Sequence, residues 1–249
     1  MSTKLTGFPH ITGQDVYAAS ITPQTSLGVY METDDGRGFR YVKNGAVATV
    51  AGKVYQGSTE DTTNLAPSGG LSIAAAVKGA TQIVLTSSIT YATINGLAGG
   101  YVSVNVGTGV GQLVRIAGNT AVTGAAGMII TLDDPLLVAL DTSSKITIRQ
   151  SVFNGILVAP ATMTNSIVGV AVNVIPASTA TVPQYGWIQT HGICSCLETG
   201  TGTCGIALGV LQGGTIGSLA PAIAGTPIIA FSCGTVVTGE YGTVFLTIN

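Results

Sequence analysis

The apolar residues of this chain fall in short runs that break at Gly, Asn, Asp or Pro. Between 81 and 150 the segments TQIVLTSSI, GGYVSVNVG, GQLVRIAGN, GMIITLDDP and SKITIRQS each alternate or stay apolar before such a break, and 155–175, 184–197, 203–211, 226–238 and 241–248 repeat the habit. A period of two marks a strand with one buried face, and the breaking residues supply the dihedrals of tight turns. Short strands at this spacing predict an all-β fold, sandwich or barrel-like, with Gly-rich turns and not a βαβ arrangement. No fixed-period repeat is present. One stretch, LSIAAAVKGA at 71–80, fits a short helix about as well as a strand.

Local signals refine this outline. Asn44-Gly45 lies between two β-rich runs in DDGRGFRYVKNGAVATVAGKVYQ, 34–56. That dipeptide favours a type I′ turn, and predicts a hairpin that pairs Val42 with Val47 and Phe39 with Val50. Strand parity places Phe39 and Tyr41 on one face, Arg40 and Val42 on the other. Residues 1–30, polar and without a period, predict an extended N-terminal arm. STEDTTNLAPSGG, 58–70, is a breaker cluster and a candidate boundary. The expected organisation is the arm at 1–30, a β-rich domain at 31–150 with the hairpin at its start, and a second β domain at 151–249. The last two are able to form one unit.

Composition changes the picture most through charge. The chain has 249 residues, enough for one large β domain or two small ones, and only 8% of them are charged, against about 25% in ordinary soluble domains. A disordered chain would be more polar and more charged. Mean hydropathy is +0.52, yet no apolar run reaches the roughly 18 residues of a membrane helix. No basic segment followed by an apolar core opens the chain, so no secretion signal is expected and a reducing place of synthesis is. All nine Lys and Arg lie between Lys4 and Arg149, and beyond Gln150 the only charged side chains are Glu198 and Glu240. Charge depletion of this kind favours a surface that other subunits cover over the alternative, a Ser/Thr/Gly-rich polar surface that water solvates adequately. The net charge of −2 offers no long-range attraction to nucleic acid or anionic membrane, and neither is an expected partner.

The densest chemistry is PQYGWIQTHGICSC, 183–196, with the only Trp of the chain, Trp187, and with His191, Cys194 and Cys196. A hairpin over 186–211 centred on Gly200 would set Cys196 opposite Cys204 and Cys194 opposite Ile206, with Cys233 on a later strand. Zinc ligation by His191, Cys194, Cys196 and Cys204 is disfavoured, because His191 points to the opposite face from Cys194 unless Gly192 makes a bulge. A Cys196–Cys204 disulfide is a second alternative, and small buried thiols are the favoured reading. Tyr185 and Trp187 share a face opposite Ile188, either as an aromatic platform for a sugar or partner or, preferably, as a core or interface anchor. GTGVGQ, 107–112, lacks the third Gly of a dinucleotide fingerprint and reads as a hairpin turn. Asp34, Asp35 and Arg37 in TDDGRG, and Asp133-Asp134-Pro135, read as turns. With two His in the chain, neither near a G-x-S-x-G serine, a serine-hydrolase triad is improbable. No catalytic, cofactor-binding or metal-binding residue is assigned, and an enzyme is not expected.

The phrases DGRGFRYVKNGAVATVAGKVYQ, LAGGYVSVNVGTGVGQLVRIAGNTAV, ITLDDPLLVALDTSSKITIRQS and PQYGWIQTHGICSC resemble recurring stretches of virion structural proteins of tailed bacteriophages, in order over much of 30–250. The cysteines depart from that pattern, standing where Val, Ala or Leu would be ordinary. The resemblance implies a capsid decoration (cement) protein on the outer capsid surface of the virion. Its implied partners are the major capsid protein and further copies of itself, in a symmetric homo-oligomer such as a trimer. A tail, neck or fibre component is the alternative, with a carbohydrate-binding module behind it. The family supplies no catalytic residues to carry over.

Overall fold

A computed structural model describes residues 15–200, 203–210 and 214–248. Its strands, in chain order, are β1 (Tyr30–Glu32), β2 (Gly38–Asn44), β3 (Val54–Gln56), β4 (Leu71–Ser72), β5 (Gln82–Val84), β6 (Ile89–Tyr91), β7 (Tyr101–Val106), β8 (Leu113–Asn119) and β9 (Val122–Ala125). There follow β10 (Ile129–Leu132), β11 (Lys145–Arg149), β12 (Asn154–Val158), β13 (Ile167–Ala171), β14 (Tyr185–Leu197), β15 (Ala207–Gly209), β16 (Ala220–Pro221), β17 (Ala230–Ser232) and β18 (Tyr241–Thr247). The protein is all-β, with no helix among the described residues.

The chain divides into two compact units. Thr59–Ser151 forms one, and the segments on either side of it, 1–58 and 152–249, together form the other. The breaker cluster that begins at Ser58 therefore marks the start of an insertion. The expected division into 31–150 and 151–249 is redrawn, because β2 and β3 pair with strands from beyond residue 151. β12 lies parallel to β2 and antiparallel to β3. The insertion thus leaves and re-enters the first unit between two neighbouring strands.

The inserted unit is a barrel. Its six-stranded sheet runs β4-β11-β7-β8-β10-β5, and a bridge between Ile73 and Leu85 joins the last strand back to the first. One side chain in two points inward, as the alternation predicts, so Val102, Val104, Val114, Ile116, Ile130, Ile146 and Ile148 share one core. GTGVGQ is the turn between β7 and β8, with Gly107, Gly109 and Gly111 at positive φ. Asp133 ends β10 and pairs with Arg115 at 2.9 Å. The 71–80 stretch is extended, not helical: Ala74 and Ala76 donate their N–H groups to Val84 and Leu140, each at 2.9 Å.

In the other unit, β2, β12, β3, β13 and β14 pair in a closed circuit, with β14 bonded to both β13 and β2. Val42, Tyr55, Ile156, Val168, Ala171, Ile175 and Ile188 fill it. β14, thirteen residues long, outruns both β2 and β13, and on the edge opposite β2, where β13 ends, β18 becomes its partner from His191 to Leu197. β17, β15 and β16 extend the sheet from β18.

The expected hairpin at Asn44-Gly45 does not form. Asn44 is buried, and its side-chain amide donates to the carbonyls of Val47, Ile175 and Pro176 at 2.8–2.9 Å. Gly45 donates its N–H to Ile156 O at 3.0 Å, and a Cβ there would lie 2.6 Å from that oxygen. The dipeptide serves a close backbone crossing instead of a I′ turn. The hairpin lies one strand earlier: TDDGRG folds β1 onto β2, and Thr33 Oγ1 and Arg37 both bind the Asp35 carboxylate. Nor is there a hairpin centred on Gly200. Cys196 faces Gly242 and Cys194 faces Val244 on β18, while β15 pairs with β16 and β17.

Candidate functional site

β14 carries the chemistry that stands out in the sequence, and its two faces have different fates. The even-numbered side chains point into cores: Ile188 into the barrel interior, Cys194 and Cys196 into an adjoining cluster with Val244, Leu246, Leu208 and Ala230. The odd-numbered side chains of its first half, Tyr185 and Trp187, lie on the outside. There the chain covers them itself. Val16, Leu27 and Met31 pack with Phe39, Tyr41 and Trp187, and Ser20 exchanges both backbone hydrogen bonds with Tyr185. Trp187 is 2% exposed and meets Tyr41 edge to face, centroids 5.0 Å apart. It is a core anchor, the preferred sequence reading, and presents no platform to a sugar. Of the predicted arm, 1–14 lie outside the described residues, and 15–30 form this cover rather than a free extension.

The bulge between Gln189 and His191 reverses the alternation, so beyond it the odd-numbered side chains lie on the face of β14 that carries Ile188, and there that face is exposed. Ile193 is 50% exposed, Tyr241 51%, Phe245 37% and Phe231 40%. The register places Ile193 directly opposite Phe245 and Phe245 directly opposite Phe231, so three of these form a continuous row across β14, β18 and β17. His191 closes the row at one side, its ring edge-on to Phe245 with centroids 5.3 Å apart. The rest of the face is Ser195, Thr243 and Thr247, without a charged side chain in the paired strands.

Two residues build the point where β2 slips on one edge of β14 and β13 gives way to β18 on the other. The β2 register slips between Gln189 and His191, and Gln189 Nε2 donates to His191 O at 3.0 Å and Ile193 O at 2.7 Å. The buried amide thus satisfies carbonyls at the irregularity. Gly192 has φ +84°, and a Cβ there would lie 3.1 Å from Gly36 O in the β1–β2 turn. A cleft of about 470 Å³ opens beside this point, lined by Tyr17, Arg37, Gln189, Cys194, Ser195 and Tyr241 among others. Its one cation is already engaged: Arg37 bonds Asp35 at 2.7 Å and the Tyr17 hydroxyl at 3.1 Å, and lies over the Phe39 ring.

The metal and disulfide sets that the sequence reading weighed and disfavoured are not assembled among the described residues. His191 lies on the opposite face of β14 from Cys194 and Cys196, which are buried, and Cys204 and Cys233 are exposed, all four thiols free. No group of three or more His, Cys, Asp or Glu among the described residues is placed to hold a metal. Burial pushes the Cys194 thiol up to about 12, despite the pull of Arg37. Burial, with Cys194 and Glu198 nearby, drives Cys196 well above the ordinary thiol value. A nucleophilic cysteine needs the opposite shift, so these two pack as small apolar groups.

Sequence reading passed over Glu198. It follows β14 directly and is 1% exposed. Its backbone N–H donates to Glu240 O and its carbonyl accepts from Gly239, both at 2.9 Å. The side chain lies over Gly242, where a Cβ would overlap it. Both carboxylate oxygens are buried without a hydrogen-bond partner among the described residues, and burial raises its pKa above the ordinary 4.5. The only available signal was its isolation as one of two acids in a hundred residues.

The chain matches no protein-family model, no curated protein and no solved structure. No helix among the described residues is long and apolar enough to cross a membrane.

Proposed function

We propose that this chain is a structural protein of a tailed-phage particle, bound to the outside of the assembled capsid and reinforcing it. The observation that carries the reading is the bare half of β14. The chain buries its own aromatic residues under 15–31, yet leaves the row Ile193, Phe245 and Phe231 exposed on an uncharged sheet. Apolar surface of that kind fits burial against another macromolecule, here the major capsid protein. The mechanism is linkage: a subunit that binds only the assembled lattice stabilises it by mass action, more so as more copies bind. The absence of ionic groups on the face makes the contact insensitive to salt.

Copy number in purified particles tests this. A decoration protein is present at a level near that of the major capsid protein, and particles lacking it lose heat tolerance. About 3 to 12 copies, a number set by ring symmetry, would place it in the tail or neck. A freely soluble monomer never found with particles would overturn a virion role altogether.

A further inference from the structure

Two thiols stand outside the cores, and both lie just past the end of the β15–β17 ladder. β15 and β17 pair with Ala207 opposite Phe231 and Leu208 opposite Ala230. The pairing continues past the end of β15: Ser232 donates its N–H to Ile206 O at 2.9 Å, and Gly205 donates its N–H to Ser232 O at 2.7 Å. Gly205 and Ile206 therefore oppose the single residue Ser232, and Gly205 has φ +84°. This is a glycine bulge. Ile206 also donates to Thr203 O at 3.2 Å, which makes Cys204 a corner residue of the turn feeding the bulge. In an antiparallel ladder, the residues just outside a bond of the Gly205–Ser232 kind face each other as a non-hydrogen-bonded pair, Cα atoms about 4.5 Å apart. Those residues are Cys204, before Gly205, and Cys233, after Ser232. A disulfide requires a Cα separation of roughly 4.4–6.8 Å. Both side chains are exposed. Cys233 is fixed from its other side by its N–H bond to Thr243 O at 2.9 Å, while its Sγ, 3.9 Å from Phe231 O, is held only weakly and can turn.

We propose that Cys204 and Cys233 are a modification site: a pair that closes to an intramolecular disulfide when a low-molecular-weight disulfide such as oxidised glutathione is the oxidant. One thiolate attacks a glutathione sulfur, breaks its S–S bond and releases one glutathione thiolate. The second thiolate then attacks the protein sulfur of the mixed disulfide and releases the other. The two thiol protons pass to the released glutathione, which carries away both electrons. Cys194 and Cys196, buried and held protonated, take no part. The bond ties the turn to β17 at the margin of the bare face. The inference rests on the β15–β17 register and not on the virion reading.

The test is a non-reducing peptide map of the full chain after exposure to oxidised glutathione. No Lys or Arg follows Arg149, so the digest uses chymotrypsin or pepsin. The expected product is a monomer two hydrogens lighter, with Cys204 and Cys233 peptides linked and Cys194 and Cys196 alkylated only after denaturation. Its Tm rises by roughly 5 °C, and Cys204→Ser or Cys233→Ser each removes the rise. Recovery of the two residues as separate glutathione adducts, as free thiols, or linked between chains would overturn the proposal.

Discussion

The inserted barrel and the unit that hosts it are both closed β structures, held together in different ways. The insert, Thr59–Ser151, is contiguous in sequence and has one apolar core. Its carboxylates sit on the rim, where Asp133 meets Arg115, and where the Ser143 and Thr108 hydroxyls hold Asp141 down at about 2. The host is assembled from two distant segments and has three smaller clusters. Buried polar side chains stitch these together: Asn44 to three carbonyls, Gln189 to two, Gln56 to Thr164. An alternating pattern is enough to specify the first kind of structure. The second depends on individual side chains whose partners are far away in sequence.

The largest expected effects test whether each core is its unit's main support. Trp187→Ala should cost about 3–5 kcal/mol and Ile116→Ala about 2–5 kcal/mol. Amide exchange should show the first loss among β2, β14 and the 15–31 cover, the second throughout 59–151. Protection lost equally in both units by either substitution would erase the distinction. Next comes Asn44→Ala, which strands three carbonyls and should cost about 2–4 kcal/mol in denaturant melts. A cost below about 0.5 kcal/mol would mean the polar stitching is dispensable.

Glu198→Gln works the other way. The unfolded chain ionises this carboxyl near 4.5 and the folded chain at a higher pH. Between the two values the folded state keeps a proton that the unfolded state has lost, so stability falls as pH rises through that window. The variant should melt higher than the parent at pH 7, and the gain should vanish below pH 4. A gain independent of pH would point to a cause other than ionisation. The smallest effect is expected at Ile193→Asp. Half-exposed on the bare face, it should shift stability by no more than about 0.5 kcal/mol while abolishing attachment to particles.

Much of the strand layout was legible because it is local. Alternation located β7, β8, β10 and β11, and parity placed Phe39 with Tyr41 and Tyr185 with Trp187. What failed was pairing. Asn44-Gly45 carries the signal of a hairpin, but the Asn44 amide reaches Ile175, 131 positions away, and that contact outweighs the local turn preference. The thiols were placed on the wrong neighbour because nothing in 186–211 reveals that β18, from the end of the chain, occupies the edge of β14 beyond β13. The Ala-rich stretch at 71–80 became extended because Val84 and Leu140 supply its backbone partners. Glu198 had no motif to betray it: its burial is a property of the folded sheet around Gly242.

The position of the insertion has a consequence for how the molecule is made. β3 must wait for β12, and the intervening 59–151 would be a long open loop if it stayed unfolded. Because that segment is a contiguous barrel, it emerges complete from the ribosome before β12 does. Once folded, it reduces the effective span between Ser58 and Val152 to the short distance between its own ends, and the entropy lost on closing the host falls accordingly. The order of synthesis therefore makes the guest a folding aid for its host.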